Sequence, residues 1–147
     1  AGLTLKEDQY EGFKKKFEAV VSNSIDKALL TPEIKVDAEI DLSDITPKFY
    51  RIISQFAPFG PGNMTPVFMT EDMQDTGYGK QVGEDKTHLR LTATQNRKGK
   101  LVGIGFGLGD QIELIKNKKI FKAAYTIDKN EWNGNVNLQL KLKDVKH

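Results

Sequence analysis

The chain has no cysteine, one tryptophan and only five prolines among its 147 residues. The lack of cysteine excludes disulfide bonds and thiolate metal sites. No apolar run approaches the ~20 residues that a membrane-spanning helix needs. The N-terminal residues also lack the charged-then-apolar pattern of a signal peptide. These absences favour a cytoplasmic protein with no membrane partner.

Charge is nearly balanced over the whole chain, with a formal net charge of +2. Its distribution is uneven, because residues 86–122 contain nine basic residues and only two acidic ones. A local cationic region can attract phosphate groups even when the whole protein is nearly neutral. The overall hydrophobic content of 38% and charged content of 29% are typical of a folded globular protein.

The first third of the sequence predicts two helices and one strand. Apolar residues at helical spacing predict a first helix over residues 6–23, and strict alternation predicts a half-buried strand over residues 34–42. A second helix is predicted over residues 46–56, with Thr46 or Asp44 as its cap and Pro47 in its first turn. We expect Phe49, Ile52, Ile53 and Phe56 to form its buried stripe.

Residues 58–68 contain three prolines and two glycines in eleven positions. Proline fixes φ and donates no hydrogen bond, whereas glycine allows backbone conformations closed to other residues. This segment therefore predicts a rigid connection, which we expect to orient the strands after it rather than to touch a ligand. We expect Phe59 and Phe68 to anchor its two ends in the core.

Beyond this connection the sequence predicts five strands and one short helix. The strands are expected at residues 66–74, 87–95, 100–106, 120–127 and 136–145, with the helix at residues 109–115. We expect residues 129–135 to form a loop. The order β-β-β-α-β-β is that of an OB-fold, a small five-stranded Greek-key barrel. The predicted fold is therefore mainly β with helices, preceded by a lead-in strand and helix. An α+β sandwich with the same elements remains the alternative.

Four segments carry a resemblance to a known family. Residues 58–68, Pro-Phe-Gly-Pro-Gly-Asn-Met-Thr-Pro-Val-Phe, resemble the Pro-Phe-Gly-x-Gly-Asn-x-x-Pro-x-Phe signature in the C-terminal part of the RecJ single-strand-specific exonucleases. Residues 86–91, Lys-Thr-His-Leu-Arg-Leu, look like a strand of that family. Residues 130–134, Asn-Glu-Trp-Asn-Gly, resemble its loop before the final strand. The opening Ala-Gly-Leu-Thr looks like the end of the motif that closes the family's DHH-associated domain.

The resemblance implies that the chain is a C-terminal piece of such an enzyme. Residues 1–32 would be the tail of the DHH-associated domain, and residues 33–147 the OB-fold domain with its lead-in elements. Members of the family remove nucleotides from single-stranded DNA in the 5′→3′ direction during DNA repair and recombination. They use Mn²⁺ or Mg²⁺ held by an N-terminal DHH domain. No residue here matches a catalytic or metal-binding position, so the chain alone is expected to be non-catalytic and without a cofactor.

In an OB-fold the ligand lies across the second and third strands, between the loop after strand one and the loop before strand five. Those loops are expected at residues 77–86 and 129–135. Single-strand binders combine cations along the backbone with aromatic side chains on which bases stack. The candidate nucleic-acid-binding residues are Tyr78, Lys80, Lys86, His88, Arg90, Arg97, Lys98, Lys100 and Trp132.

Two functional hypotheses remain open at this point. In the first, the chain is a module that binds single-stranded DNA for a RecJ-like exonuclease. In the second, it braces the nuclease core or docks a partner such as a single-strand-binding protein, without touching DNA. The ordinary alternatives for single residues also stay open, since Trp132 could simply cap the barrel and His88 with Arg90 could form a solvated face.

Overall fold

The computed structural model describes residues 2–132 and 134–147. Its contacts divide the chain into two compact units, one ending at Glu33 and the other formed by Ile34–His147. The first unit contains a 3-10 turn at Glu7–Gln9, helix α1 at Tyr10–Ser24 and a 3-10 turn at Lys27–Leu30. The predicted first helix is therefore present. Within its own unit, no residue of α1 is buried.

The second unit begins with lead-in elements that are shorter than the sequence predicts. The predicted strand over residues 34–42 is reduced to β1 at Ala38–Glu39, which pairs with the next strand in parallel. The chain then leaves the extended conformation, because a 3-10 turn at Leu42–Asp44 follows with a capping box between Asp41 and Asp44.

Helix α2 spans Pro47–Ile53 and continues into a 3-10 turn at Ser54–Phe56. The hydroxyl of Thr46 accepts a hydrogen bond from the Phe49 N–H at 3.1 Å, so Thr46 is the cap. Ile53 is buried, but Ile52 and Phe56 are exposed, which corrects half of the predicted stripe. Because α2 ends at residue 53 and a tighter turn follows, the spacing of an α-helix no longer directs residue 56 toward the core.

From residue 68 onward the chain forms six strands, with one short helix between the fourth and the fifth of them. In chain order these elements are β2 Phe68–Asp75, β3 Lys80–Val82, β4 His88–Gln95, β5 Lys98–Gly105, α3 Ile112–Ile115, β6 Phe121–Trp132 and β7 Asn135–Lys146. Five of the six strands are those predicted. The short β3 lies inside the region expected to be a loop after the first barrel strand.

Five strands close into a barrel. Strand β2 pairs antiparallel with β6 and also with β4, and the circuit runs β2-β6-β7-β5-β4 before it returns to β2. Strands β5 and β7 are parallel, with Val102 opposite Gln139. This closure confirms the predicted OB-fold-like barrel and excludes the sandwich, since a sandwich would leave β2 without one of its two partners.

The barrel interior is mainly apolar and contains a hydrogen-bonded pair of hydroxyl groups. Leu89, Leu91 and Leu140 are fully buried, as the predicted alternation of β4 and β7 requires. The hydroxyls of Thr70 and Tyr125 lie 2.6 Å apart, and the Thr70 hydroxyl also donates to the Ile40 carbonyl at 2.6 Å. Thr70 therefore accepts from the Tyr125 O–H. Burial of this phenol raises its pKa to about 12.

The segment at residues 58–68 is held by its own polar groups. The amide of Asn63 donates to the carbonyls of Phe56 and Pro58 at 2.8 and 2.9 Å, and Gly60 and Asn63 form a β-bridge. Phe68 is buried and packs against Phe49 with 5.5 Å between ring centroids, as predicted. Phe59 is 37% exposed, so only one end of the segment is anchored in the core.

Candidate nucleic-acid interface

The second half of strand β5 turns its apolar side chains away from the barrel interior. Gly103 and Gly105 are buried, whereas Val102 and Ile104 are half-buried on the outer surface. A Cβ atom on Gly103 would lie 3.0 Å from Leu91 Cδ1, and one on Gly105 would lie 2.7 Å from a side-chain carbon of Leu108. The interior beside Gly103 and Gly105 therefore has no room for a side chain, and the alternation of the strand places Val102 and Ile104 on the surface.

The strand register arranges cations on both sides of this apolar strip. Lys80 pairs with Arg90, Arg90 with Ile104, and Ile104 with Lys141. Paired residues share a face, and neighbouring strands are spaced by about 4.8 Å, so this row is about 14 Å wide. An anionic polymer that crosses the row would meet a positive charge on each side of an apolar centre.

Phe106 continues the outward series of β5 and is 61% exposed. Its ring meets the imidazole of His88 edge-on, with 5.1 Å between centroids, and Lys141 Nζ lies 5.9 Å from the centroid of Phe106. The Gly107 N–H donates to His88 Nδ1 at 3.1 Å, which fixes the imidazole beside Phe106. An exposed aromatic ring held between a fixed neighbour and a cation is suited to stacking a base.

A groove of about 820 Å³ adjoins the row on the side of α2 and the first residues of β7. Its lining combines three cations with apolar and aromatic side chains, namely Arg90, Lys100, Lys129, Tyr50, Val102, Ile104 and Leu138. We call the row, Phe106 and this groove together the outer face.

The structure brings four of the predicted site residues to the outer face. Lys80 and Arg90 belong to the row, Lys100 lines the groove, and His88 supports Phe106. Their proximity follows from the register of β3, β4 and β5.

The other predicted residues lie elsewhere. Arg97 and Lys98 are at the β4–β5 turn, about 20 Å along the strand from Arg90, since a strand rises about 3.4 Å per residue. Tyr78 is exposed in the connection between β2 and β3, and Lys86 lies between β3 and β4. The side chain of Trp132 lies outside the described residues.

The predicted loop at residues 129–135 is wrong. Strands β6 and β7 stay in register as far as Trp132 and Asn135, so residues 129–132 pair with the start of β7 as a two-stranded ribbon. Gly134 has φ +76°, a value that glycine adopts at little cost. The ribbon extends the groove, because Lys129 and Asn130 line it.

A buried carboxylate shapes the other predicted loop. Asp75 accepts hydrogen bonds from the backbone N–H groups of Gly77, Gly79 and Thr92 at 2.7, 2.8 and 2.9 Å. These bonds turn the chain at the end of β2 and tie the connection to β4. Asp75 thereby positions β3, which carries Lys80 to the row.

Sequence reasoning missed Val102, Ile104, Phe106 and Lys141 as members of the outer face. A signal for Lys141 was present, because it lies between Leu140 and Leu142, whose alternation places it outside. In β5 the apolar residues alternate with a pair of glycines. This pattern separates the two faces of the strand but does not show which of them points inward.

Neither a metal cluster nor a membrane-crossing helix occurs among the described residues. In the part of the chain that the structure describes, no three or more His, Asp or Glu side chains are arranged to hold a metal ion. These residues do not fit the divalent-metal site that the resemblance implies for the parent enzyme. Within residues 2–132 and 134–147, no helix has the length and apolar character needed to cross a bilayer.

Solved structures and curated proteins resemble this chain. It matches the crystal structure of RecJ in complex with Mn²⁺ from Thermus thermophilus with a TM-score of 0.72 and 20% identity, over 99% of this chain and 20% of that one. The Mg²⁺ complex from the same organism gives a TM-score of 0.70 and 19% identity, over 98% of this chain and 21% of that one. These matches support the fold.

The curated relatives are named single-stranded-DNA-specific exonuclease RecJ. The protein from Salmonella typhimurium is 27% identical over 99% of this chain and 25% of its own length. The protein from Escherichia coli is 26% identical over 99% of this chain and 25% of its own length. The protein from Haemophilus influenzae is 26% identical over 95% of this chain and 24% of its own length. The chain thus spans about a quarter of the relatives that it matches.

The family comparison covers the second unit. The model of the RecJ OB domain matches residues 36–144, which include the lead-in elements, the outer face and all of the barrel except the last two residues of β7. Because this match extends over well over half of the sequence, the chain belongs to the RecJ OB domain family.

Proposed function

We propose that this chain is the single-stranded-DNA-binding module of a RecJ-like 5′→3′ exonuclease, and that the outer face is its binding surface. The observation that carries the proposal is the combination of the Lys80–Arg90–Ile104–Lys141 row with the exposed ring of Phe106. Cations would hold the phosphates while Phe106 stacks a base, as single-strand binders do. Trp132, Tyr78, Lys86, Arg97 and Lys98 remain candidates for contacts beyond this surface.

The catalytic part of the proposal concerns residues outside this chain. The parent protein would cut single-stranded DNA with Mn²⁺ or Mg²⁺ held by its own DHH domain, in the cytoplasm, during DNA repair and recombination. Residues 1–32 would be the tail of the DHH-associated domain that connects to the module. The names of the curated relatives support the exonuclease activity, and the Mn²⁺ and Mg²⁺ in the Thermus thermophilus RecJ crystal structures support the choice of metals.

Binding of a fluorescent oligothymidylate to the 147-residue chain tests the proposed function. We expect saturable binding by anisotropy at low salt that weakens steeply when the salt concentration rises, because released counterions drive binding to phosphates. A chain that does not bind at low salt, or that binds equally at both salt concentrations, contradicts the proposal.

One observation supports the second hypothesis, in which the chain braces the nuclease core or docks a partner protein. Ile52, Phe56 and Met64 are exposed apolar side chains on the lead-in elements and the 58–68 segment. A partner protein or the nuclease core could cover them. If a parent enzyme without this region kept its full affinity for oligonucleotides, bracing would replace DNA binding as the function.

A further inference from the structure

A second groove lies beyond the outer face, where β6 and β7 meet the 58–68 segment. It has a volume of about 650 Å³. Its walls carry three lysines from two parts of the chain, Lys35 before β1 and Lys141 with Lys143 on β7. This feature, which we call the lysine groove, includes none of the residues predicted from the sequence to bind DNA.

The lysine groove has an excess of positive charge. Among the described residues, Lys35, Lys141 and Lys143 take part in no ion pair. Its one carboxylate, that of Asp37, already takes part in a hydrogen bond of the fold, since it accepts the Val67 N–H at 2.9 Å. Lys141 and Lys143 flank the inward Leu142, so both project to the outer side of β7 about 7 Å apart.

The opposite wall of the groove is formed in advance of any ligand. Gly62, Asn63 and Thr65 line it, and the hydrogen bonds from Asn63 to the Phe56 and Pro58 carbonyls hold this wall in place. A wall that is already ordered costs little conformational entropy when a ligand binds.

Lys141 connects the lysine groove with the outer face. It lines the groove, and its Nζ lies 5.9 Å from the centroid of the Phe106 ring. We propose that a DNA strand stacked on Phe106 continues across β7 and places its sugar-phosphate backbone in the lysine groove, against Lys143 and Lys35. The inference rests on the proposed function and extends its binding path to the proline- and glycine-rich segment.

A charge-removal experiment tests the inference on the 147-residue chain. The test variant is Lys35→Ala with Lys143→Ala, and the matched control is Lys48→Ala with Lys118→Ala, two exposed lysines that do not line the groove. Anisotropy is measured with oligothymidylates of about 5 and about 15 nucleotides, which span the site sizes typical of OB-folds. Thermal unfolding of both variants checks that they fold.

We expect the test variant to lose about 10- to 30-fold in affinity for the longer oligonucleotide at ~0.1 M salt, with the magnitude of the salt slope reduced by about 1.4. Its affinity for the shorter oligonucleotide should equal that of the control. If the unaltered chain binds both lengths and the two variants behave alike, the lysine groove is not part of the path and the proposed function stands. If the unaltered chain binds neither length, both proposals fail.

A crosslinking experiment gives an independent readout. The chain contains no cysteine, so Thr65→Cys introduces a unique thiol in the wall of the groove, and Lys118→Cys introduces one outside it. We expect an oligonucleotide with a pyridyl-disulfide tether near one end to crosslink to the first variant and not to the second, by thiol–disulfide exchange in which the cysteine thiolate displaces pyridinethiol. Equal crosslinking of the two variants would overturn the proposed path.

Discussion

The rings of His88 and Phe106 meet edge-on with 5.1 Å between their centroids. This contact supports an exposed aromatic ring at the end of β5, beside the cation of Lys141. The imidazole is itself fixed by the Gly107 N–H, so the two rings form a small rigid unit on the surface. This unit and the barrel that positions it lead to four testable expectations.

Phe106→Ala should weaken binding of single-stranded DNA. Loss of a stacking platform costs about 1–3 kcal/mol, which corresponds to roughly 5- to 150-fold in affinity. Phe56→Ala is a matched control, because both side chains are 61% exposed and only Phe106 lies on the outer face. Anisotropy titrations at one salt concentration compare the two variants. Equal affinities would remove Phe106 from the binding surface.

Arg90→Ala should reduce the salt dependence of DNA binding. Arg90 lies in the row between Lys80 and Ile104, and each phosphate contact with a single strand contributes about 0.7 to the slope of log affinity against log salt. Arg51→Ala, an exposed arginine on α2, provides the control. Titrations at several salt concentrations should give a slope lower in magnitude by about 0.7 for Arg90→Ala only. An unchanged slope would place the phosphates elsewhere.

Gly109→Ala should destabilise the barrel and disturb the outer face. A Cβ atom at Gly109 would overlap the carbonyl oxygen of Lys86, and the Gly109 N–H bonds to the Thr87 carbonyl at 2.9 Å. Because backbone atoms cannot move aside as a side chain does, we expect a loss of about 3 kcal/mol or more in the free energy of unfolding. Urea unfolding measures it.

Gly60→Ala is the control for the glycine prediction. Nothing lies within 4 Å of a Cβ atom at Gly60. The alanine should change the free energy of unfolding by no more than about 1 kcal/mol, in the stabilising direction. A Gly109→Ala variant as stable as this control would mean that the Lys86–Thr87 backbone yields to the new methyl group.

The raised pKa of Tyr125 should make the folded chain less stable at high pH. An unfolded tyrosine ionises near pH 10, whereas burial raises the pKa of Tyr125 to about 12 in the folded chain. The folded state therefore holds its proton over this interval while the unfolded state releases it. The stabilisation is complete below pH ~10 and falls by about 2–3 kcal/mol as the pH rises through ~12.

Unfolding in urea at several pH values checks this prediction, with Tyr125→Phe as the comparison. The phenylalanine variant loses the hydrogen bond to Thr70 and should be less stable at neutral pH. Because this variant has no ionisable group at position 125, the difference in the free energy of unfolding between the two chains should shrink above pH 10. A constant difference across this range would show that Tyr125 ionises at its ordinary pKa.

Much of the barrel could be predicted from alternation. The inward positions of Leu89, Leu91 and Leu140 were predicted because each strand also carries polar residues at the intervening positions. Thr46 was one of two predicted caps, with Asp44 as the other, since a hydroxyl before Pro47 can accept a hydrogen bond from a free backbone N–H of the first turn. At these positions, residues close together in the sequence are sufficient to predict the burial and the cap that the structure shows.

Other features depended on distant parts of the chain. The predicted strand over residues 34–42 could extend only as far as its partner allowed, and β1 pairs with just Phe68 and Met69. Residues 129–132 carry the polar side chains of a loop, yet they belong to a strand because β6 and β7 continue their hydrogen bonding beyond the barrel. Neither outcome is encoded in the local pattern.

The sequence alone determined the order of the five barrel strands and the short helix, the family signature at residues 58–68 and the inward faces of β4 and β7, because each depends on residues close together in the chain. Only the tertiary structure decided which face of β5 is the surface. Leu91 and Leu108 occupy the space beside Gly103 and Gly105, so that Val102 and Ile104 lie outside with Phe106 beyond them. The outer face exists because a small closed barrel has too little interior volume for every apolar side chain of its strands.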